Sequence, residues 1–454
     1  MVINIKQYGA SADGVRNDTI FFQKAVDEIS ANGGGELIVP RGDYVLATLF
    51  LRNNVSIRLD EGARLLGTLT FSEYEKDEKV DYPLYQDASH SFFHCSMFVG
   101  INVENIKIYG GGLIDMRSVW DEENVRNMVH RGAKAMALKY CKNVFIDNIG
   151  VYNATDLAIY FAGCEDVEIS RIKMRTHIDG ISPDNCKNVK IHDCDIESGD
   201  DGIVLKSSYT LNKLDICKNI YVWNCNVKSA CNSIKFGTET NGGFEDVIIK
   251  DMRVFDTKLA GIAVESVDGA VINNLTFENI SMQNVASPLF VYIGKRMRGP
   301  KELKLGSISN IFFRNITASG EYKEFDCVEG SYSGFVEKKT RRMHWTIEQK
   351  ELLPNCAWQV TSGMYGLQES VLKNIYLENV YLKMYGACKQ EPLGLETPTR
   401  VYPEVYVYGR LLPAKGICFR DIDGLTLKNV KVETYYDDVR QDFKFYNVNN
   451  LKIE

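Results

Sequence analysis

The chain has 454 residues, with 53 Lys and Arg against 60 Asp and Glu, a formal charge of −7 and a pI near 5.6. Phosphate binding needs clustered basic side chains, and no basic run or basic-aromatic stripe occurs, which excludes nucleic acid as the main partner. No apolar run approaches the ~20 residues that span a bilayer, so no membrane partner is expected.

The opening MVINIKQYGASADG lacks the basic-then-apolar order of a secretory signal. The expected location is therefore cytoplasmic, with a trimmed secreted chain as the other reading. Next comes TIFFQKAVDEISANGGGELIVPRGDYVL, starting at Thr19. It carries the one clear amphipathic helix, with Phe22, Ala25, Val26 and Ile29 at helical spacing and Gly33 to Gly35 ending it. Residues 1–70 are read as an N-terminal cap with the first coils of a solenoid, whose open end would otherwise expose strand edges and apolar core.

From Asn105 a phrase recurs: Asn or Asp, two or three β-formers, a polar pair, then more β-formers. It reads NIKIYGGGLID from Asn105, NVFIDNIGVYN from Asn143, DVEISRIKMRT from Asp166, NVKIHDCDIES from Asn188 and NIYVWNCNVKS from Asn219. Later copies start at Asp246, Asn274, Asn310 and Asn374, and a last one, GLTLKNVKVET, at Gly424. Anchor spacings of 38, 23, 22, 31 and 27 residues, without helical period, predict an all-β, right-handed parallel β-helix running through 1–454 as one domain. Asn anchors suit its sharp turns, since Asn tolerates left-handed backbone, and stacked amides can bond one another. Two stretches break the repeat, Ser72 to His94 and Tyr322 to Leu367, and are expected to wall a cleft. Trp345 and Trp358 in the second could stack on a sugar or pack a core. Twelve cysteines without a CxxC pair read as buried free thiols.

The densest group of acids lies in HIDGISPDNCKNVKIHDCDIESGDDGIVLKSS, His177 to Ser208. With a coil of about 21–22 residues and coils about 4.8 Å apart, Asp179 falls one coil below Asp200 and Asp201. Gly199 and Gly202 are expected to bend the chain there. Three carboxyls in one patch raise at least one pKa, giving the protonated acid beside an ionised base that glycoside hydrolysis uses. Asp193 and Asp195 belong to the repeating phrase, and Asp184 is expected to shape the turn after Pro183.

These motifs resemble glycoside hydrolase family 28, the polygalacturonase family, whose members read roughly NTDGIDPDS and, some twenty residues later, GDDAIAIKS. Here HIDGISPDN and GDDGIVLKS stand at matching spacing, and the N-terminal region and late segments such as YPEVYVYGRLLPAKGICFR are similar too. The resemblance implies a parallel β-helix that hydrolyses pectic glycosides with inversion. Asp200 would protonate the leaving oxygen, Asp179 and Asp201 would hold and activate water, and acid and base would stand roughly 6.5–9.5 Å apart.

Two places depart from the family pattern. Its GHG histidine is replaced by ACNSIKFGTET, with Cys231 or Asn232 at that position, and its RIK motif aligns with GIAVES, putting Ala263 and Glu265 at the two basic positions. Glu265 would repel a uronate. Either a neutral or differently linked sugar stands beside the cleaved bond, or other cations hold the carboxylate. Candidates for that role are Lys206, Lys235, Lys295, Arg296 and Arg298, each otherwise a solvated charge. Glu239 and Glu265 are candidate hydroxyl acceptors, and His177 either lines the site or packs a turn. No metal ligand cluster and no cofactor are expected.

The leading expectation is an inverting glycosidase with a carbohydrate partner, exo-acting on short pectic or related oligosaccharides. The alternatives are a β-helix lyase, which would want calcium and an Arg or Lys base, and a non-catalytic carbohydrate-binding solenoid. The motifs specify neither the sugar, the linkage nor an oligomeric state.

Overall fold

The computed structural model describes the chain except for residues 86–92, 122–130, 322–359, 391–393, 396–397, 399–402 and 410. Strands such as Val55–Leu59 bury alternate side chains, so each has one face for a core and one for water. None can bury that face alone. Each pairs in parallel with a strand one coil further on: Val144 opposite Val167, Val167 opposite Val189, Val189 opposite Ile220, and Ile220 opposite Val247. A second stack runs through Met136, Ile159, Ile181, Ile203, Ile234 and Ile262. A third runs through Val151, Met174, Ile196, Val227 and Val254. The three stacks close around one continuous hydrophobic core, and the architecture is the expected parallel β-helix.

The repeat anchors turn the chain. Asn143, Asn188, Asn219, Asn310 and Asn374 all have φ between 53° and 56°, the left-handed region that Asn enters at lower cost than most residues. Their amides bond from coil to coil: Asn188 Nδ2 donates to Asp166 Oδ1 at 2.9 Å, Asn219 to Asn188 at 3.0 Å and Asn374 to Asn310 at 2.9 Å. A second such ladder, not foreseen from the repeat, joins Asn279, Asn315, Asn379 and Asn429 at 2.9 to 3.0 Å. Asp193 belongs to that second turn, taking the Asn224 amide, and Asp195 takes that of Asn226. Inside, Cys141, Cys164, Cys186 and Cys217 stack, with each thiol sulfur from Cys164 onward accepting the N–H of the cysteine one coil earlier at 3.3 to 3.4 Å. All described cysteines are free thiols.

The helix Thr19–Ala31 buries Phe22, Ala25, Val26 and Ile29 against the first coils, and Gly33, with φ +87°, carries the chain out of it. The stretch from Ser72 leaves the sheet as expected. Tyr82 Oη donates to the Thr210 carbonyl at 3.0 Å and Tyr85 meets Tyr209 edge-on at 5.7 Å, so this loop lies against the turn that follows the GDD strand. The second expected excursion is shorter than its predicted bounds. Its end is the strand Ser362–Tyr365, which is paired on both sides, with Phe290–Tyr292 and with Ile417–Arg420. Trp345 and Trp358 lie outside the described residues.

Candidate active site

The strands Ile181–Asp184, Ile203–Ser207 and Ile234–Thr240 stack in one sheet, and the turns entering them carry the acids. Asp179, Asp201 and Asn232 occupy equivalent places on successive coils. The N–H of Asp201 donates to Asp179 Oδ1 at 3.2 Å, and the N–H of Asn232 to Asp201 Oδ1 at 3.0 Å. Backbone spacing here leaves no room for side chains after the acids. A Cβ on Gly180 would lie 2.4 Å from the Gly202 carbonyl oxygen, and one on Gly202 would lie 2.7 Å from that of Ser233. The chain bends at Gly199 and Gly202 as expected, and the glycine of each DG pair also serves close coil packing.

Two of the three acids are gripped by lysines. Lys206 Nζ lies 3.5 Å from Asp179 Oδ2 and 3.1 Å from Glu239 Oε2. Lys235 Nζ lies 3.5 Å from Asp201 Oδ2, and Asn232 Nδ2 donates to Asp201 Oδ1 at 2.8 Å. Asp200 is different. Its side chain keeps 22% exposure against 7% for Asp179 and 8% for Asp201, and Arg131 approaches it only to 4.0 Å. The hydroxyls of Ser198 and Ser229 donate to its carbonyl at 2.8 and 2.6 Å and fix its backbone.

Burial, opposed by Lys206 and reinforced by the charges of Asp200 and Asp201, pushes Asp179 up to about 8. Burial, then the charge of Asp201, raises Asp200, with Arg131 opposing. Asp179 and Asp200 titrate together, so the retained proton belongs to that pair. Asp200 is the member exposed enough to hand it on. A general acid acts only while protonated, so kcat/KM is expected to fall as pH rises through the upper apparent pKa of Asp179 and Asp200. In Asp200→Asn the residual rate should lose that alkaline limb. A pH–rate series on both proteins measures this, and an unchanged limb in the variant would move the donated proton off Asp200.

The other sequence candidates fall in two groups. His177 Nε2 sits 2.7 Å from Ser118 Oγ and its ring packs on Trp120 at 5.5 Å. Burial and Arg175 lower its pKa to about 4, so it is neutral near pH 7. Asn232, Glu239 and Glu265, expected to touch sugar, are instead at most 1% exposed. Asn232 bridges Asp201 and the Ala260 N–H, and Glu239 holds Lys206 and Arg298. These are supports beneath the acids. Arg296 is committed to Asp268 Oδ1 at 3.0 Å and the Thr238 carbonyl at 2.7 Å, and Lys295 pairs with Glu369 at the surface. Arg298 keeps 29% side-chain exposure beside Glu239. Asp184 is a buried node, accepting from the Ser208 N–H at 2.8 Å and Tyr160 Oη at 3.0 Å.

Three neighbours of the site escaped the sequence reading. Trp120 and Arg131 lie at the two ends of an insertion, which the Trp120–Gly132 bridge ties together. The 38-residue spacing between Asn105 and Asn143 was its visible trace. Glu404, in YPEVYVYG, places Oε1 3.1 Å from Lys235 Nζ, and no local pattern announces it.

Among the described residues, one set of three potential metal ligands comes together: Asp200, Asp201 and Cys231, with donor atoms within 4.8 Å of one another. Calcium takes about 6–8 oxygen ligands, and a thiol at the third position does not suit it, which weighs against the lyase alternative. One oxygen of Asp200 and one of Asp201 approach within 4.8 Å of each other.

The model of the family described as glycosyl hydrolases family 28 matches residues 30–338, more than half of the chain, and the chain belongs to that family. A probable polygalacturonase of Vitis vinifera is 25% identical over 279 residues, covering 58% of this chain and 56% of its own. The exo-poly-alpha-D-galacturonosidase of Dickeya chrysanthemi is 23% identical over 338 residues, covering 63% of this chain and 56% of its own. The matched part thus spans little more than half the length of these two relatives. Among solved structures, the family 28 exopolygalacturonase of Yersinia enterocolitica superposes with a TM-score of 0.70 at 17% identity, over 99% of this chain and 78% of its own. An exopolygalacturonase from Thermotoga maritima gives 0.66 at 19% identity, over 85% and 87%. At these identities the structural likeness carries the fold.

Proposed function

We propose that the chain is an inverting, exo-acting glycosidase of pectin-related oligosaccharides, with Asp200 as general acid and Asp179 and Asp201 holding the attacking water. The observation that carries this reading is the asymmetry of the trio: one partly exposed carboxyl without a close cation, beside two buried ones held at 3.5 Å by lysines. Family membership and the names of the relatives support the pectic substrate class.

Inversion is favoured despite the short Asp200–Asp201 distance. Asp201 Oδ1 already accepts two N–H bonds from Asn232, and Oδ2 faces Lys235. A carboxylate so engaged would lose these partners to attack an anomeric carbon, whereas orienting a water keeps them. Exo action is supported by the walls around the acids. Arg131 stands at Asp200 and Trp120 at His177, and the loop before residue 86 lies against Tyr209 and Thr210.

Incubating the protein with end-labelled pectic oligosaccharides is expected to release one sugar at a time from a single end. Proton NMR of the first product should show the inverted anomer. Internal cleavage from the earliest time points would overturn exo action, and a retained anomer would overturn inversion. Release of sugar from none of the oligosaccharides would overturn the hydrolase reading itself.

A further inference from the structure

Lys235 opens the strand that follows the GDD strand, and its ammonium is shared by three carboxyls. Glu404 Oε1 is 3.1 Å away, Asp201 Oδ2 3.5 Å and Glu265 Oε1 4.0 Å. Glu265 stands on the next coil, within the segment GIAVES. Its side chain is wholly buried, and neither carboxyl oxygen has a hydrogen-bond partner. Oε2 of Glu404 is likewise buried and unpartnered, although 8% of that side chain remains exposed. Burial, opposed by Lys235, raises both glutamates; the charge of Glu404 adds to the shift of Glu265, and that of Asp201 to the shift of Glu404. Other cations beside the acids already face carboxylates: Lys206 faces Asp179 and Glu239, Arg298 faces Glu239, Arg296 faces Asp268, and Arg131 stands 4.0 Å from Asp200.

A sugar carboxylate arriving over Lys235 would meet an ammonium whose charge Asp201 already balances. With Glu265 and Glu404 ionised, it would be repelled inside a poorly solvated site where charge interactions are strong. With the two glutamates protonated, the cluster offers hydroxyl-type donors and acceptors, which match the hydroxyls of a neutral ring. Both protonation states disfavour a uronate and accept an uncharged sugar.

We infer that the subsite over Lys235 takes an uncharged sugar ring, its hydroxyls bonded by Lys235 and Glu404, and that buried Glu265 excludes a uronate from that place. This rests on the glycosidase reading and narrows its substrate to pectic or related glycosides with a neutral sugar next to the cleaved bond.

The test compares aryl glycosides. The 4-nitrophenyl α-D-galactoside and α-D-galactosiduronate differ only at C6, and neutral rhamnosides, xylosides, arabinosides and glucosides complete the panel. The best neutral glycoside is expected to exceed the uronide by at least about tenfold in kcat/KM. Glu265→Gln should narrow that ratio by improving the uronide. Should this variant fail to fold, the wild-type ratio decides alone. A uronide that outperforms every neutral glycoside overturns the inference and leaves the glycosidase reading standing. If none of the panel is cleaved, the oligosaccharides decide the glycosidase reading, and titration calorimetry with the methyl glycosides of the panel and methyl galacturonide decides the subsite. Tighter binding of a neutral glycoside then supports it, while tighter binding of the uronide, or binding of none, overturns it.

Discussion

Replacing Asp200 by Asn is expected to lower kcat by about 10²–10⁴-fold, the range that a positioned general acid contributes. The effect should fall on kcat rather than on folding, because Asp200 is the most exposed of the three acids and makes no close ion pair. The bonds that set its backbone run from Ser198 and Ser229 to its carbonyl, and an amide side chain leaves them in place. An aryl glycoside with a low-pKa leaving group needs less protonation, so the loss should shrink on such a substrate. Thermal melts of variant and wild type, alongside the rates, separate chemistry from misfolding. Full activity in Asp200→Asn would move the acid to Asp179, the member of the trio pushed up to about 8.

The largest expected effect on stability belongs to Lys206→Met. Lys206 is 4% exposed in its side chain and sits between Asp179 and Glu239, themselves 7% and 2% exposed. Burial pulls its pKa down, but the carboxylates of Glu239, Asp179 and Asp201 outweigh that and hold it above its ordinary value, so the ammonium stays charged. A methionine fills similar volume and removes the charge, leaving Asp179 without this cation and Glu239 with Arg298. Breaking a buried pair in this way typically costs about 3–5 kcal/mol. Part of that loss should return in Lys206→Met combined with Glu239→Gln, since the second change removes one of the stranded charges. Urea titrations of the single and double variants measure both. A single-variant loss below about 1 kcal/mol, the value of an exposed pair, would show that solvent reaches this cluster.

Much of this molecule is legible along the chain because a β-helix is built from neighbours one coil apart. The Asn phrase, the alternation of buried residues and the cap helix are all local or nearly local signals. The spacing of HIDGISPDN and GDDGIVLKS was enough to bring Asp179 under Asp201, because both enter paired strands at the same rung. The glycines after the acids were visible too, although their reason, coil-to-coil contact, was not.

What remained hidden was which way side chains face and what arrives from outside the repeat. Asn232, Glu239 and Glu265 read as sugar ligands in the sequence, yet the folded chain turns them inward beneath the acids, where they hold Asp201, Lys206 and the surroundings of Lys235. Arg131 and Trp120 come from the two ends of an insertion between coils, and Glu404 reaches Lys235 from 169 residues away. Sequence spacing therefore determined the solenoid and the register of its acids, both set by a period that repeats along the chain. Tertiary structure alone decided which acid stays exposed and which carboxyls share Lys235, because those contacts depend on excursions that obey no period.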